Sequence, residues 1–160
     1  MIWAKIFSLL FVLLIACGGE ESAGDPGKMN QEDEPSAEVL SVAVSGSELN
    51  YTFNVEVKSP DTGCDQYADW WEVVSLDTTL LYRRILAHSH VSEQPFKRSG
   101  GPVTISKSQQ VIVRAHMNNL GYGVHVLKGS IEKGFEQTKI ATVFGQALSE
   151  LKPLPDNCAF

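Results

Sequence analysis

The chain has 160 residues, of which 43% are hydrophobic and 20% are charged, and its formal net charge is −6. This length accommodates one domain of ordinary size with a buried core. The excess of 19 acidic over 13 basic side chains argues against nucleic-acid binding, which requires a basic face.

The first 17 residues, MIWAKIFSLLFVLLIAC, have the pattern of an export signal followed by a cysteine. Lys5 precedes an apolar run from Ile6 to Ala16, which spans roughly 16 Å as a helix and is too short for the ~30 Å hydrocarbon core of a bilayer. The stretch Leu14-Ile15-Ala16-Cys17 resembles the lipobox of bacterial lipoproteins. The resemblance implies a signal peptide over residues 1–16, cleavage before Cys17 and acylation of Cys17.

Acyl chains on Cys17 would hold the mature protein at a membrane without a spanning helix. Each buried methylene contributes about 0.8 kcal/mol, and two or three chains hold durably. Gly18 stands where lipoproteins retained at the inner membrane carry Asp, which favours the outer membrane if the host has two. We therefore expect a lipid-anchored, extracytoplasmic protein of the bacterial envelope; the alternative is an ordinary signal peptide that happens to end at Cys17.

Residues 17–38 are expected to form a disordered acidic tether. After Cys17 this segment has no aromatic residue and no Val, Ile or Leu, so it cannot bury enough surface to offset its ordering entropy. It holds seven acids against Lys28, which accounts for the whole net charge of −6. The domain predicted over residues 39–160 is therefore close to neutral, and the acidity indicates a solvated spacer and no particular substrate.

Residues 39–160 predict an all-β domain, because short segments of period two alternate with Gly and Pro. We expect an antiparallel, immunoglobulin-like β-sandwich of seven or eight strands. Gly46 is expected in a hairpin turn, and Pro153 and Pro155 should end a helical turn over 146–151. The predicted strands are 39–44, 49–57, 70–76, 80–88, 103–106, 110–117, 124–131 and 138–144.

The domain contains two cysteines, Cys64 and Cys158. Export would place them in an oxidising compartment, where an exposed pair tends to form a disulfide. This bond would close a 95-residue loop and stabilise the fold by roughly 4–5 kcal/mol in the loop-entropy model. The alternative is that both thiols are free.

Histidine and arginine side chains occupy one face of two predicted strands. Residues i and i+2 of a strand point the same way, and Val111, Val113, Ala115 and Met117 form the apolar face of the later strand. If the two strands share a sheet, the polar side chains of the opposite faces could converge, depending on a strand register that the sequence does not give. These are Arg84, His88, His90, Arg114 and His116.

Three interpretations of this set remain open. His88 and His90, with His116 or Glu93, could bind zinc or copper, although the neighbouring arginines would repel a cation. Arg84 and Arg114 could instead bind an anion, since guanidinium groups make bidentate bonds to carboxylate or phosphate. In the third interpretation these side chains stand on a solvated face, and Arg83 or Arg84 pairs with a nearby acid.

The segment from Asp65 to Glu72 is dense in aromatic and acidic residues. One of Trp70 and Trp71 is expected in the core, which leaves the other as a candidate aromatic platform for a sugar or peptide. Asp65, Asp69 and Glu72 match no calcium-loop spacing, and Asp69 with Glu72 as a carboxylate pair for glycoside hydrolysis would need a larger cleft.

Residues 63–73, 88–99 and 113–116 resemble a family of small exported bacterial proteins, and this resemblance implies no particular activity. No nucleophile elbow or phosphate loop is present in the chain. We therefore expect a binding or structural module and not an enzyme, with an envelope protein, a glycan or a small ligand as its partner. The alternatives are a metal-binding lipoprotein and a small envelope hydrolase.

Overall fold

A computed structural model describes residues 35–159. The predicted signal peptide, Cys17 and the tether up to residue 34 lie outside these residues. The described part of the chain contains nine strands and one 3₁₀ helix, Gln146–Glu150. The strands are β1 (Glu38–Ser47), β2 (Asn50–Lys58), β3 (Ala68–Ser75), β4 (Leu80–Ile85), β5 (Phe96–Val103), β6 (Val111–Met117), β7 (Gly121–Tyr122), β8 (His125–Ser130) and β9 (Gly134–Lys139).

The strands form two antiparallel sheets, which confirms the predicted all-β sandwich. The smaller sheet has the order β1-β2-β5, and the larger has the order β4-β3-β6-β8-β9 with β7 paired to β6. The core lies between them, because each sheet turns alternate apolar side chains inward. In β2 these are Tyr51, Phe53, Val55 and Val57, all at most 7% exposed, while the residues between them face outward.

The central strands of the larger sheet are buried on both faces, which is unusual for an antiparallel sheet. Every residue of β6, and every residue of β3 except Ser75, is buried. The inner side chains of these strands, such as Trp71 and Val113, join the core. The outer ones, such as Trp70 and Val74, pack with Leu148 and Phe144. Residues 141–159, here called the C-terminal segment, thus cover the outer face and create the environment of the candidate site.

Several strand boundaries differ from the predicted ones. β4 ends at Ile85, so His88 and His90 lie in the connection to β5. β5 begins at Phe96 and contains Gly100, Gly101 and Pro102, whereas the predicted strand covered residues 103–106. The last strand was predicted over residues 138–144, but β9 begins at Gly134 and ends at Lys139. Gly and Pro end strands in most contexts, but β5 lies at the edge of the smaller sheet, where Pro is tolerated.

The first hairpin also turns at a different place from the predicted one. Ser47 pairs with Asn50, so the turn consists of Glu48 and Leu49, and Gly46 lies within β1. The predicted helical turn is present as the 3₁₀ helix. Ala37 is fully buried in the core, so the folded region begins before the predicted boundary at residue 39. Across residues 35–159, no helix has the length and apolar character needed to cross a bilayer.

Gly123, between β7 and β8, is expected to be intolerant of a side chain. A Cβ atom there would lie 1.8 Å from the carbonyl oxygen of Ala37, so Gly123→Ala should lower the free energy of unfolding by roughly 3 kcal/mol through overpacking. Gly134→Ala is the matched control, since its Cβ would meet no atom within 4 Å and only its φ of +83° is unfavourable, at a cost of about 1 kcal/mol. Urea unfolding of both variants measures the difference, and equal losses would contradict the close approach.

Candidate functional site

Three charged side chains form a buried cluster on the outer face of the larger sheet. Glu72 of β3 pairs in register with Arg83 of β4 and with Arg114 of β6. Glu72 Oε2 accepts hydrogen bonds from Arg83 Nε (2.8 Å) and Nη2 (2.6 Å), and Glu72 Oε1 accepts one from Arg114 Nε at 2.8 Å. The three side chains are fully buried. We call this set the Arg–Glu–Arg cluster.

The remaining guanidinium donors of the cluster bind the C-terminal segment. Arg83 donates to the carbonyl oxygens of Leu148 (2.7 Å) and Pro153 (3.0 Å), and Arg114 donates to those of Phe144 (2.5 Å) and Gly145 (3.0 Å). The cluster has one more positive than negative charge, which these carbonyl dipoles offset. It therefore fixes the C-terminal segment to the sheet.

The candidate anion-binding pair is not brought together by the fold. Arg84 is an exposed residue whose Nε donates to the carbonyl oxygen of Ser99 in the other sheet. Arg114 lies on the outer face, and Glu72 and two carbonyl oxygens occupy its donors. Arg84 and Arg114 lie in different environments because the register between β3 and β4 places Arg83, and not Arg84, beside Glu72. Arg83 does pair with a nearby acid, as one interpretation held, but in a buried position.

His116 forms a second buried pair on the same face. Its Nδ1 lies 2.7 Å from Oδ1 of Asp69, and its ring stacks on Trp70 with 3.7 Å between centroids and 6° between planes. Tyr122 lies against its edge at 4.8 Å. In the neutral ring, a carboxylate at Nδ1 favours the tautomer in which this nitrogen carries the proton, and Nε2 is then a hydrogen-bond acceptor.

A groove opens beside His116, between the C-terminal segment and the chain around β7. It consists of two cavities of about 610 and 200 Å³, which share His116, Gly121 and Ser149 in their walls. We call it the His116 groove. Nε2 of His116 has no hydrogen-bond partner among residues 35–159, and the surrounding protein does not enclose it completely. It is therefore accessible to a ligand.

Tyr122 joins the groove to the Arg–Glu–Arg cluster. Its ring lies under the guanidinium of Arg114, with 3.5 Å between the Cζ atom and the ring centroid, and its hydroxyl is 3.4 Å from Arg83 Nη2. Burial, with Glu72 adding a smaller effect, raises the pKa of Tyr122 to about 12. The hydroxyl thus stays protonated at physiological pH and serves as packing at the base of the groove.

His90 lies in a different environment. It is 2% exposed, its ring stacks on Phe96 at 3.8 Å, and neither ring nitrogen has a hydrogen-bond partner in the described part of the chain. Nδ1 lies 3.9 Å from Oδ2 of Asp61. Its backbone N–H donates to Oδ2 of Asp61 at 2.8 Å. Burial lowers the pKa of His90; Arg98 and His88 lower it further, against smaller opposing effects of Asp61 and Glu93.

Acidification is expected to destabilise the fold through His90. The unfolded chain binds a proton at this residue near the ordinary pKa of about 6.5, whereas the folded chain resists it. Stability is therefore lost as the pH falls below about 6.5, by up to about 1.4 kcal/mol per pH unit, until the lower folded-state pKa is reached. His90→Phe should flatten this slope in urea unfolding between pH 7 and 5. The exposed His88 provides the control: His88→Gln should retain most of the slope, because burial is the largest cause of the lowered pKa of His90. An unchanged slope in His90→Phe would contradict the assignment.

The three candidate metal ligands do not converge. The rings of His88 and His90 lie 4.6 Å apart, but His116 is engaged with Asp69 on the outer face of the larger sheet. Within residues 35–159, no group of three or more His, Cys, Asp or Glu side chains is placed to hold a metal ion. The early end of β4 is the reason, because it carries His88 and His90 off the sheet.

The two tryptophans face opposite ways, but neither is an exposed platform. Trp71 is fully buried in the core, and Trp70 is 3% exposed because His116 and the guanidinium of Arg83 lie over its ring. Glu72 and Asp69 do not act as a pair: Glu72 binds the two arginines, and Asp69 binds His116. Asp65 is exposed in a turn.

Cys64 and Cys158 form a disulfide, as expected, with 5.6 Å between their Cα atoms. The bond links the end of the C-terminal segment to the turn before β3, and both cysteines line the larger cavity of the His116 groove. The disulfide thus fixes one wall of the groove.

Two features of the site were absent from the sequence-based interpretation. The first is the pairing of Asp69 with His116, which depends on the register between β3 and β6. The second is Asp61, a buried carboxylate that accepts hydrogen bonds from Ser59, Ala68 and His90. Asp61 follows Ser-Pro in a turn-rich stretch, and nothing in this local pattern distinguishes it from an exposed turn residue.

Comparison with known proteins gives one relative. The chain is similar to a protein of Halomicrobium mukohataei named "Putative lipoprotein", with 34% identity over 122 residues, which are 75% of this chain and 60% of that protein. No family model matches the chain, and no solved structure matches it. The similarity therefore covers most of this chain but spans less than two thirds of the relative's length.

Proposed function

We propose that this protein is a lipoprotein whose β-sandwich domain is held at the outer side of a membrane and acts there by binding. The observation that carries the proposal is Cys17 at the end of an apolar run of signal-peptide length. Acylation of that cysteine would leave residues 18–34 as a polar spacer before the folded domain.

Two further observations support the anchor and the compartment. The relative's name, "Putative lipoprotein", agrees with the resemblance of residues 14–17 to a lipobox. The Cys64–Cys158 disulfide agrees with an oxidising environment, since such bonds rarely persist in a reducing cytosol.

Binding is favoured over catalysis by the composition of the groove. The Asp69–His116 pair presents one nitrogen that could act as a base. Ser149 lines both cavities together with His116, but its hydroxyl donates to the carbonyl oxygen of Gln146 at 2.9 Å. A nucleophile would have to be within hydrogen-bond reach of the base. Recognition of a ligand through the groove requires no such contact.

Metabolic labelling with an alkyne analogue of palmitate tests the anchor. In a host that acylates lipoproteins, the wild-type chain is expected to take up the label and to lose residues 1–16. Cys17→Ser should abolish both events, because it removes the sulfur that carries the lipid.

The double variant Cys64→Ser/Cys158→Ser is the matched control, since it changes two cysteines and leaves Cys17 in place. Per molecule of recovered protein, it should be labelled as fully as the wild type, although loss of the disulfide lowers its stability. Equal labelling of wild type and Cys17→Ser, or an unlabelled wild-type chain that retains residues 1–16, would contradict the proposal.

A further inference from the structure

The His116 groove has a negative electrostatic character. Its walls carry the carboxylates of Asp69 and Glu150, and they include no Lys or Arg of the described residues. The nearby Arg–Glu–Arg cluster carries one net positive charge, which is directed at carbonyl oxygens of the C-terminal segment such as those of Leu148 and Phe144. The field of the carboxylates is also felt by Tyr67 in the groove wall, whose pKa is raised by burial and further by Asp69 and Asp61. Such a groove disfavours carboxylate and phosphate ligands.

The groove offers a ligand the acceptor oxygens of the Glu150 carboxylate and, when the His116 ring is neutral, its Nε2 atom. His116 is 8% exposed and Asp69 is 4% exposed, yet Nε2 of His116 has no partner within residues 35–159. Two of the donors in the walls are already engaged. Asn118 Nδ2 donates to the carbonyl oxygen of Cys64 at 2.9 Å, and Ser149 Oγ donates to that of Gln146. A ligand that carries N–H groups would match these acceptors.

The rim of the groove is apolar. Leu120 and Val143 in the smaller cavity are 37% and 72% exposed, and Leu154 in the larger cavity is 38% exposed. These are three of the seven large hydrophobic side chains exposed in the described part of the chain. Their concentration around one groove indicates contact with an apolar part of a ligand.

We propose that the His116 groove binds an organic ammonium group. The N–H groups of the ligand would donate to Nε2 of His116 and to the Glu150 carboxylate, and the alkyl chain of the ligand would pack against Leu120 and Val143. The inference rests on the proposed binding function and specifies its ligand class. A neutral sugar fits less well, because the aromatic rings in the walls (Tyr67, Trp70 and Tyr122) are at most 8% exposed and offer no stacking face.

Titration of the full-length chain in neutral detergent with n-butylammonium chloride tests the proposal, with the ¹⁵N resonances of the imidazole nitrogens as readout. We expect the Nε2 resonance of His116 to shift with a midpoint in the millimolar range. Butyltrimethylammonium, which has the charge but no N–H donor, should bind at least tenfold more weakly. 1-Butanol, which has the chain but no charge, should cause no saturable shift; if it matches butylammonium, the proposal is overturned.

Variants locate the site. Glu150→Gln and His116→Asn are each expected to weaken butylammonium binding at least fivefold, whereas Glu132→Gln, an exposed carboxylate in the turn between β8 and β9, should leave it unchanged. Unchanged binding in Glu150→Gln and His116→Asn would overturn the proposal. Acylation of Cys17 is measured in a separate labelling experiment. If butylammonium does not bind, the proposal of a lipid anchor is therefore not affected.

Two sources could supply an alkylammonium group, a free polyamine or the lysine side chain of a partner polypeptide. Spermidine and the peptide acetyl-Gly-Lys-Gly-amide distinguish them, with the Nε-acetylated peptide as the uncharged control. Tighter binding of spermidine than of the peptide indicates a small-molecule ligand, and the reverse order indicates a polypeptide. Binding of the acetylated peptide as tightly as its charged form would contradict ammonium recognition.

Discussion

Replacement of Glu72 by Gln is expected to lower the free energy of unfolding by about 3–5 kcal/mol, because it leaves two buried arginines without their counter-charge. Glu72 accepts hydrogen bonds from both Arg83 and Arg114, and all three side chains are fully buried. The amide keeps the shape of the side chain but offers one acceptor oxygen to two guanidinium groups. Urea unfolding of the purified chain measures the loss.

The same variant should loosen the C-terminal segment before the rest of the fold. Hydrogen exchange at Leu148 and Leu151, whose N–H groups form the bonds of the 3₁₀ helix, should accelerate in Glu72→Gln more than exchange in β2. Arg84→Ala, which removes an exposed guanidinium from the same strand as Arg83, should cost less than about 1 kcal/mol. A small effect of Glu72→Gln, equal to that of Arg84→Ala, would contradict the role assigned to the cluster.

Removal of the disulfide is the second change with a large expected effect. Cys64→Ala/Cys158→Ala opens a link between residues separated by 94 positions, and the loop-entropy model gives a loss of about 4–5 kcal/mol. The melting temperature should fall on the order of 15 °C. Because both cysteines line the larger cavity, the variant should also lose one wall of the His116 groove.

Reduction provides an independent check of this prediction. Dithiothreitol should lower the melting temperature of the wild-type chain to near that of the double variant, and it should leave the variant unchanged. A wild-type melting temperature that does not respond to complete reduction of the bond would show that the cross-link does not stabilise the fold.

The features that the sequence predicts well are the strand faces that line the core. β2 alternates strictly, and its inner residues from Tyr51 to Val57 form the core as expected. The apolar face of β6 was also correct, from Val111 to Met117. Period two is informative here because the solvent and the core impose different side chains on alternate positions.

The outer face of the larger sheet was harder to predict, because its polar side chains are buried. Arg114 and His116 lie opposite an apolar face, which is typical of a solvated position. Their burial depends on the C-terminal segment, and that contact is between residues about 30 positions apart in sequence. The periodicity of a strand gives no information about whether a distant segment of the chain packs over its outer face.

The candidate site depended on strand register and strand ends. Asp69 and His116 each stood out in the sequence, but only the pairing of β3 with β6 brings them together. Convergence of His88 and His90 with His116 was expected from a β4 that runs to His88, and the strand ends at Ile85. The alternation of residues does not determine where a strand ends. Because β4 ends three residues earlier than predicted, His88 and His90 lie outside the sheet that carries His116.

The most direct test of the proposed function is the mass of the N-terminal peptide of the mature protein isolated from membranes. The account predicts a peptide that begins at Cys17 and carries a diacylglyceryl group on its sulfur, with or without a further acyl chain on the new amino group. An unmodified peptide that begins at Met1, or a mature chain that begins after Cys17, would contradict it.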